Sequence, residues 1–313
     1  MKRSFVFPGQ GSQSVGMGKE LADAFPVARQ VFEEVDDALG QKLSALTFEG
    51  PIEDLTLTEN AQPALMSVSM AIVRVLQSEG NFLLADRAAF VAGHSLGEYS
   101  ALTAVGSIGL ADAARLLKLR GQSMQQAVPV GEGAMAALLG LDFDAAEVVA
   151  KEAAQGDVCS AANDNAPGQV VISGHKAAVE RALDIAKEKG AKRAVLLPVS
   201  APFHCSLMAP AAEAMAEALS AVTLRAPSIP VICNVSADVV TDPEAIRNLL
   251  VEQVTGIVRW RESVEFMKSQ DVEQLVELGA GKVLSGLTRR IDRELTSMNA
   301  GIPAEIEELL KNL

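Results

Sequence analysis

The chain has 313 residues, 49% hydrophobic and 21% charged, with a formal net charge of -13. That length predicts either one large α/β domain with an insertion or two domains, and nothing in the composition points to disorder. The acidic balance disfavours nonspecific binding to nucleic acid or anionic membranes, which draws on Lys and Arg, and an anionic partner would need a local basic patch. No segment approaches the ~18 continuous apolar residues of a membrane span.

Cys159, Cys205 and Cys233 are widely spaced and form no C-x-x-C pair, so neither a disulfide framework nor a zinc site is expected; they read as buried free thiols. The start meets Pro8-Gly9 before any signal-peptide length of apolar sequence develops, and a cytoplasmic location is the simplest expectation.

Arg3 to Phe7 reads as a strand, followed by the loop Gly9-Gln10-Gly11-Ser12-Gln13. The loop imitates a dinucleotide fingerprint but carries Ser14 where the third glycine belongs. Helical spacing runs from Ala61 to Gln77, an apolar strand spans residues 88–92, and the chain turns through Gly93-His94-Ser95-Leu96-Gly97 into a helix from Leu96 to Val105. A further helix covers Leu110 to Ala127.

From Gly131 to Pro198 the pattern is compact: strand 134–139, helix 143–154, strand 158–162, strand 169–173, helix 176–189, strand 193–199. This β-α-β-β-α-β order predicts a ferredoxin-like insert. Helix 209–221, strand 231–234, a helix from Asp242-Pro243 to about Val254, and strand 272–278 then resume the α/β alternation. The expected division is a discontinuous large α/β domain of residues 1–130 and 199–313 around a mainly parallel sheet, with residues 131–198 as the small subdomain.

A sharp strand-to-helix turn presents a serine clear of the backbone, and Gly93 and Gly97 leave room for the two elements to close around Ser95. The helix N-terminus places amides, Leu96 first, where an oxyanion would form. A serine needs a base, and only His94, His175 and His204 exist. His94 should point away from its neighbour, and His175 opens a helix of the insert, where packing or capping suits it. His204, in the Pro-stiffened loop Ser200-Ala201-Pro202-Phe203-His204 beyond an apolar strand, is the better choice.

On the helix from Leu110, Arg120 falls on the apolar face with Leu110, Ala113, Leu116, Leu117 and Met124. A buried guanidinium must be paired, either with a structural carboxylate or with a substrate carboxylate, for which its planar fork is suited.

The residues Phe7-Pro8-Gly9-Gln10-Gly11-Ser12-Gln13, Gly93-His94-Ser95-Leu96-Gly97-Glu98-Tyr99, Arg120, Pro167-Gly168-Gln169-Val170-Val171, Phe203-His204, Gln253 and Glu277-Leu278-Gly279-Ala280-Gly281 together resemble the malonyl-CoA:acyl carrier protein transacylases of fatty-acid synthesis and the acyltransferase domains of polyketide synthases. The resemblance spans nearly the whole chain; Ala280 stands where the family pattern has proline. It implies an α/β-hydrolase-like large domain with a ferredoxin-like insert, and malonyl transfer through a covalent malonyl-serine intermediate. Ser95 would be the nucleophile, His204 the base, and Gln253 the source of a carbonyl that orients His204 in place of a triad acid. Gln10 and Leu96 would supply the oxyanion amides. Arg120, Met124, Asn163, Asn165 and Phe203 would surround the substrate. Leu96 and Phe203 resemble the malonyl-selecting type. Malonyl-CoA and an acyl carrier protein are the implied partners, with no metal or bound cofactor, and a monomer is expected. A serine esterase or thioesterase would share the elbow and the histidine, but Arg120 and the missing triad acid count against it. An inactive scaffold with the same fold is opposed by the presence of Ser95, His204 and Arg120 together.

Overall fold

A computed structural model describes residues 1–313. Ten strands form two sheets: β1 (Arg3–Phe7), β2 (Phe90–Gly93), β3 (Gly133–Leu139), β4 (Cys159–Ala166), β5 (Gln169–His175), β6 (Arg193–Leu196), β7 (Val231–Ile232), β8 (Val239–Val240), β9 (Gln274–Leu278) and β10 (Thr296–Ala300).

The larger sheet runs β10-β9-β1-β2-β7-β8, parallel throughout except for the final β7–β8 pair. Its central strands are apolar on both faces, as a sheet covered on both sides by helices requires; Phe5, Val6 and Phe7 are all buried. The helix Thr58–Gly80 is buried almost all round, packed against the helices Pro26–Leu39 and Leu110–Ala127.

The smaller sheet runs β4-β5-β3-β6, wholly antiparallel, with helices Phe143–Ala154 and Lys176–Glu188 packed together on it. Counted within the unit, that is the order second, third, first, fourth, the ferredoxin-like arrangement. The fold is thus the expected α/β class, a mainly parallel sheet accompanied by a separate antiparallel one.

Three expectations need correction. Strand β4 continues four residues past Ala162, through the polar run Asn163-Asp164-Asn165, where two register shifts interrupt its pairing with β5. Those polar side chains face Arg261, His94 and the cavity between the sheets, so the apolar signal stops before the strand does. Strand β6 is shorter than expected and ends at Leu196, because Pro198 supplies no amide for further pairing. Of the cysteines, all are free, but Cys159 is only partly buried.

Candidate active site

Strand β2 delivers the chain to the elbow, and the helix Gly97–Ala104 carries it away. A Cβ at Gly93 would lie 1.9 Å from the Gly97 carbonyl carbon, and one at Gly97 would lie 2.2 Å from the Phe7 oxygen, so neither position admits a side chain. Between them Ser95 holds φ 54°, a left-handed conformation that a non-glycine residue adopts only when its surroundings enforce it.

The enforcing residue is Asn234, just beyond β7. Its Oδ1 accepts from Ser95 N at 2.7 Å, and its Nδ2 donates to Gly93 O at 2.6 Å.

His204 also has positive φ, 58°, and is buried. Its Nδ1 lies 2.9 Å from the Gln253 backbone carbonyl, which can only accept, so Nδ1 carries the proton. That leaves Nε2 as the acceptor for the Ser95 hydroxyl at 2.8 Å. Burial, reinforced by the Arg120 guanidinium, pushes the His204 pKa down to about 3, which keeps the imidazole neutral and able to take a proton.

Arg120 is 1% exposed, as its place on the apolar helix face demands. Its partners are neutral: Nη1 donates to Gln62 Oε1 at 2.8 Å, and Nη2 to Gln253 Oε1 at 2.8 Å and to Ser95 Oγ at 3.2 Å. Nε has no partner, and the guanidinium carbon lies 5.7 Å from the Tyr99 ring centre. Burial pulls its pKa below the ordinary arginine value. Of the two pairings left open by the sequence, a structural carboxylate is therefore the one the protein does not provide.

Ser95, His204 and Arg120 open onto a cavity of about 440 Å³ between the two sheets. Gln10, Leu96, Met124, Asn163 and Phe203 line the same cavity. The backbone amides of Gln10 and Leu96 donate to no carbonyl or side chain of the protein. Asn165 stands apart from these: its Oδ1 is 2.8 Å from His94 Nε2, so it fixes the elbow histidine and is not a lining residue. His175 does not cap its helix; its Nδ1 accepts from Val158 N at 2.9 Å.

Three residues of the site were not found from sequence: Gln62, Asn234 and Glu98. Gln62 carried the same signal as Arg120, a polar residue inside a buried helix, and is 1% exposed. Asn234 closes a strand end of the parallel sheet, where functional groups collect. Glu98 is wholly buried beside the elbow and accepts at Oε2 from Asn234 N and from Gln253 Nε2, both at 2.9 Å. No group of three or more His, Cys, Asp or Glu side chains converges to hold a metal, and no helix is long and apolar enough to cross a membrane.

A serine at a strand-to-helix elbow of an α/β sheet, its hydroxyl bonded to a neutral histidine, is the arrangement of an enzyme that works through a serine nucleophile. Residues 4–291 match the family model of the acyl transferase domain, and the chain belongs to that family. The malonyl CoA-acyl carrier protein transacylase of Escherichia coli K12 is 50% identical over 308 residues, 98% of each protein. That of Bacillus subtilis is 48% identical over 313 residues, all of this chain and 97% of the relative. Among solved structures, the acyl-carrier-protein-S-malonyltransferase of Bartonella henselae superposes with a TM-score of 0.97 at 56% identity, covering 100% of this chain and 99% of that one. A malonyl-transacylase in complex with its type II PKS acyl-carrier protein gives a TM-score of 0.97 at 48% identity, with both chains fully covered.

Proposed function

We propose that this acyltransferase moves the malonyl group of malonyl-CoA to the phosphopantetheine thiol of an acyl carrier protein through a malonyl ester on Ser95, supplying malonyl carriers for fatty-acid synthesis. The observation that carries the reading is the buried Arg120 guanidinium, touching the nucleophile and lacking any carboxylate of the protein. A malonyl carboxylate supplies the missing charge through two parallel hydrogen bonds.

Ser95 Oγ attacks the thioester carbonyl while His204 Nε2 takes its proton. The carbonyl oxygen becomes an oxyanion, for which the free amides of Gln10 and Leu96 are the donors. As the C–S bond breaks, the CoA thiolate leaves with the proton from His204. The carrier thiol then adds to the Ser95 ester, again giving its proton to His204, and the proton returns to Ser95 as the ester breaks. The Gln253 carbonyl fixes the imidazole without a carboxylate. Met124, Asn163 and Phe203 shape the acyl pocket, and Asn165 contributes by holding His94.

We take residues 131–198 as the inserted subdomain and residues 1–130 with 199–313 as the catalytic domain. Every group in the scheme comes from one chain, which supports a monomer as the working unit, and the side chains and amides it uses need no further cofactor. A cytoplasmic setting fits the CoA substrate and three free cysteines.

Intact-mass measurement after incubation with malonyl-CoA is expected to show a malonyl adduct that Ser95→Ala abolishes; no adduct on the native chain sinks the scheme. Arg120→Ala is expected to lower malonyl use at least tenfold while acetyl-CoA use holds or rises, because only the malonyl group needs the guanidinium. A net charge of -13 means that an acidic carrier needs a local positive face. A groove lined by Ala137 and Leu139 of β3 and Val195 of β6 carries Arg193, Lys282 and Arg290, which joins one residue from each basic run of the sequence, 187–193 and 289–293. Arg290→Glu is expected to slow transfer to the carrier severalfold at low salt while leaving acylation of Ser95 unchanged.

A further inference from the structure

Glu98 takes no part in the steps above, yet it is a wholly buried carboxyl in the first turn of the elbow helix. Its Oε1 has no hydrogen-bond partner, the Cys233 thiol is a near neighbour of the carboxyl, and Oε2 takes both of its bonds, from Asn234 N and Gln253 Nε2. No cation reaches it closely enough for an ion pair. A buried carboxyl held by two hydrogen bonds and no ion pair, with the Arg120 charge acting on it only from a distance, costs the fold stability unless it serves the site.

The Gln253 side chain shows that use. On one side it faces Glu98 Oε2 and, at 3.1 Å from Nε2, the Ser95 carbonyl; both are acceptors. On the other it faces the Arg120 guanidinium, which only donates. A side-chain amide has two orientations of nearly equal shape, and only one satisfies these neighbours. We infer that Glu98 is a positioning residue for malonyl recognition: as a fixed acceptor, it holds the Gln253 amide with its oxygen turned to Arg120, and so aims the guanidinium at the acyl pocket. With that acceptor removed, Nε2 keeps only the longer contacts to the Ser95 carbonyl at 3.1 Å and Asn234 Oδ1 at 3.4 Å, so the amide is held less firmly, and each turn brings its NH2 group against the guanidinium, donor against donor.

The role needs an acceptor, not a charge. Both bonds end on one oxygen, so a neutral glutamine can place its own oxygen there and its NH2 toward the thiol. Burial pushes the Glu98 pKa up to about 7, and a role that survives loss of charge is consistent with a group that close to neutrality.

The inference rests on the malonyl-transfer reading, and one experiment separates the two. Steady-state kcat/KM is measured with malonyl-CoA and with acetyl-CoA for the native chain, Glu98→Gln, Glu98→Met, Gln253→Met and the double Met variant. If the native chain does not take up malonyl, the functional reading fails before Glu98 is tested. Otherwise Glu98→Met is expected to lower the malonyl-to-acetyl ratio tenfold or more, chiefly through KM for malonyl-CoA. Glu98→Gln should stay within about threefold of native, and the double variant should be no worse than Gln253→Met alone. A ratio that Glu98→Met leaves unchanged overturns the inference. So does a Glu98→Gln variant as impaired as Glu98→Met, or additive losses in the double variant. Should Glu98→Met not fold, Glu98→Asp, too short by a methylene to reach Gln253, carries the same expected fall in the ratio, and an equal loss with both donors overturns it.

Discussion

Ser95 and His204 stand 2.8 Å apart on left-handed backbone, each at an expected cost of about 1–2 kcal/mol relative to an ordinary conformation. Hydrogen bonds from Ser95 N to Asn234 Oδ1 and from His204 Nδ1 to the Gln253 carbonyl hold the two residues there, and Glu98 ties those supports together. Its buried carboxyl also gives the fold a pH dependence whose sign is fixed. The native pKa is about 7 against an ordinary 4.5, so between those values the folded state binds more protons than the unfolded state. Its contribution to stability is therefore full below about pH 4.5 and is lost as pH rises through 7, on the order of 3 kcal/mol in all. Urea unfolding of the native chain and Glu98→Gln at pH 5 and pH 8 is expected to show the variant gaining relative stability at the higher pH. A constant difference between them shows that the carboxyl titrates normally. Ser95, His204 and Arg120 were legible in the sequence because each is rare in its setting: a serine between two glycines, one histidine among three, a cation on an apolar face. Glu98 stands in the first turn of a short, mostly apolar helix, where an acidic side chain ordinarily serves the helix N-terminus from solvent, and only the folded chain reveals that its carboxyl is buried.

At the scale of elements, the helix Pro243–Glu252 matters for what it carries at its end: Gln253, the C-cap. Asp242 caps its start, accepting from Ala245 N at 2.8 Å, and Pro243 occupies the first helical position. Asp242→Ala is expected to cost about 1 kcal/mol in urea unfolding and to leave the malonyl-to-acetyl ratio unmoved, since the cap lies a helix length from the site. A shifted ratio shows that the helix is less rigid than its packing implies. The Asp-Pro opening was readable in advance, as were the elements of the insert, where apolar runs alternate cleanly. Elements outside the reading include the helices Lys19–Ala24, Pro26–Leu39, Leu43–Glu49 and Ile52–Thr56. For the longest of them the signal exists: Ala28, Val31, Phe32 and Val35 recur at helical spacing and are all buried. The others are only five to seven residues long and give no full period. Near the C-terminus, the helix Val283–Ile291 is capped from outside by Glu277 on β9, which accepts from Leu284 N and Ser285 N. A cap borrowed from another element leaves no local signature at the helix start.

The whole molecule places its cleft between two sheets, so the seam joining them decides how tightly the cleft closes. That seam is the polar end of β4. Asp164 N donates to Val258 O and Val258 N to Ala162 O, both at 2.9 Å, while Asn165 reaches His94. Asp164, with a side chain 1% exposed, pairs with Arg261 at 2.8 Å. The adjacent Asn163 lines the cavity, so any slack in the seam reaches the acyl pocket directly. Removing Arg261 strands a buried carboxylate, which burial already pushes above the ordinary aspartate pKa. Because Arg261 is itself a quarter exposed, the expected cost is moderate, about 2 kcal/mol, with a Tm lower by a few degrees. The consequence for chemistry is more specific. A malonyl ester on Ser95 is partitioned between a thiol and water, and a closed cleft favours the thiol by excluding water. Arg261→Met is therefore expected to raise hydrolysis of malonyl-CoA relative to transfer, with the rate of Ser95 acylation little changed. The check is the release of free malonate against formation of malonyl carrier under one set of conditions. A variant that melts lower yet keeps the native partition shows that the seam stabilises the fold without guarding the ester.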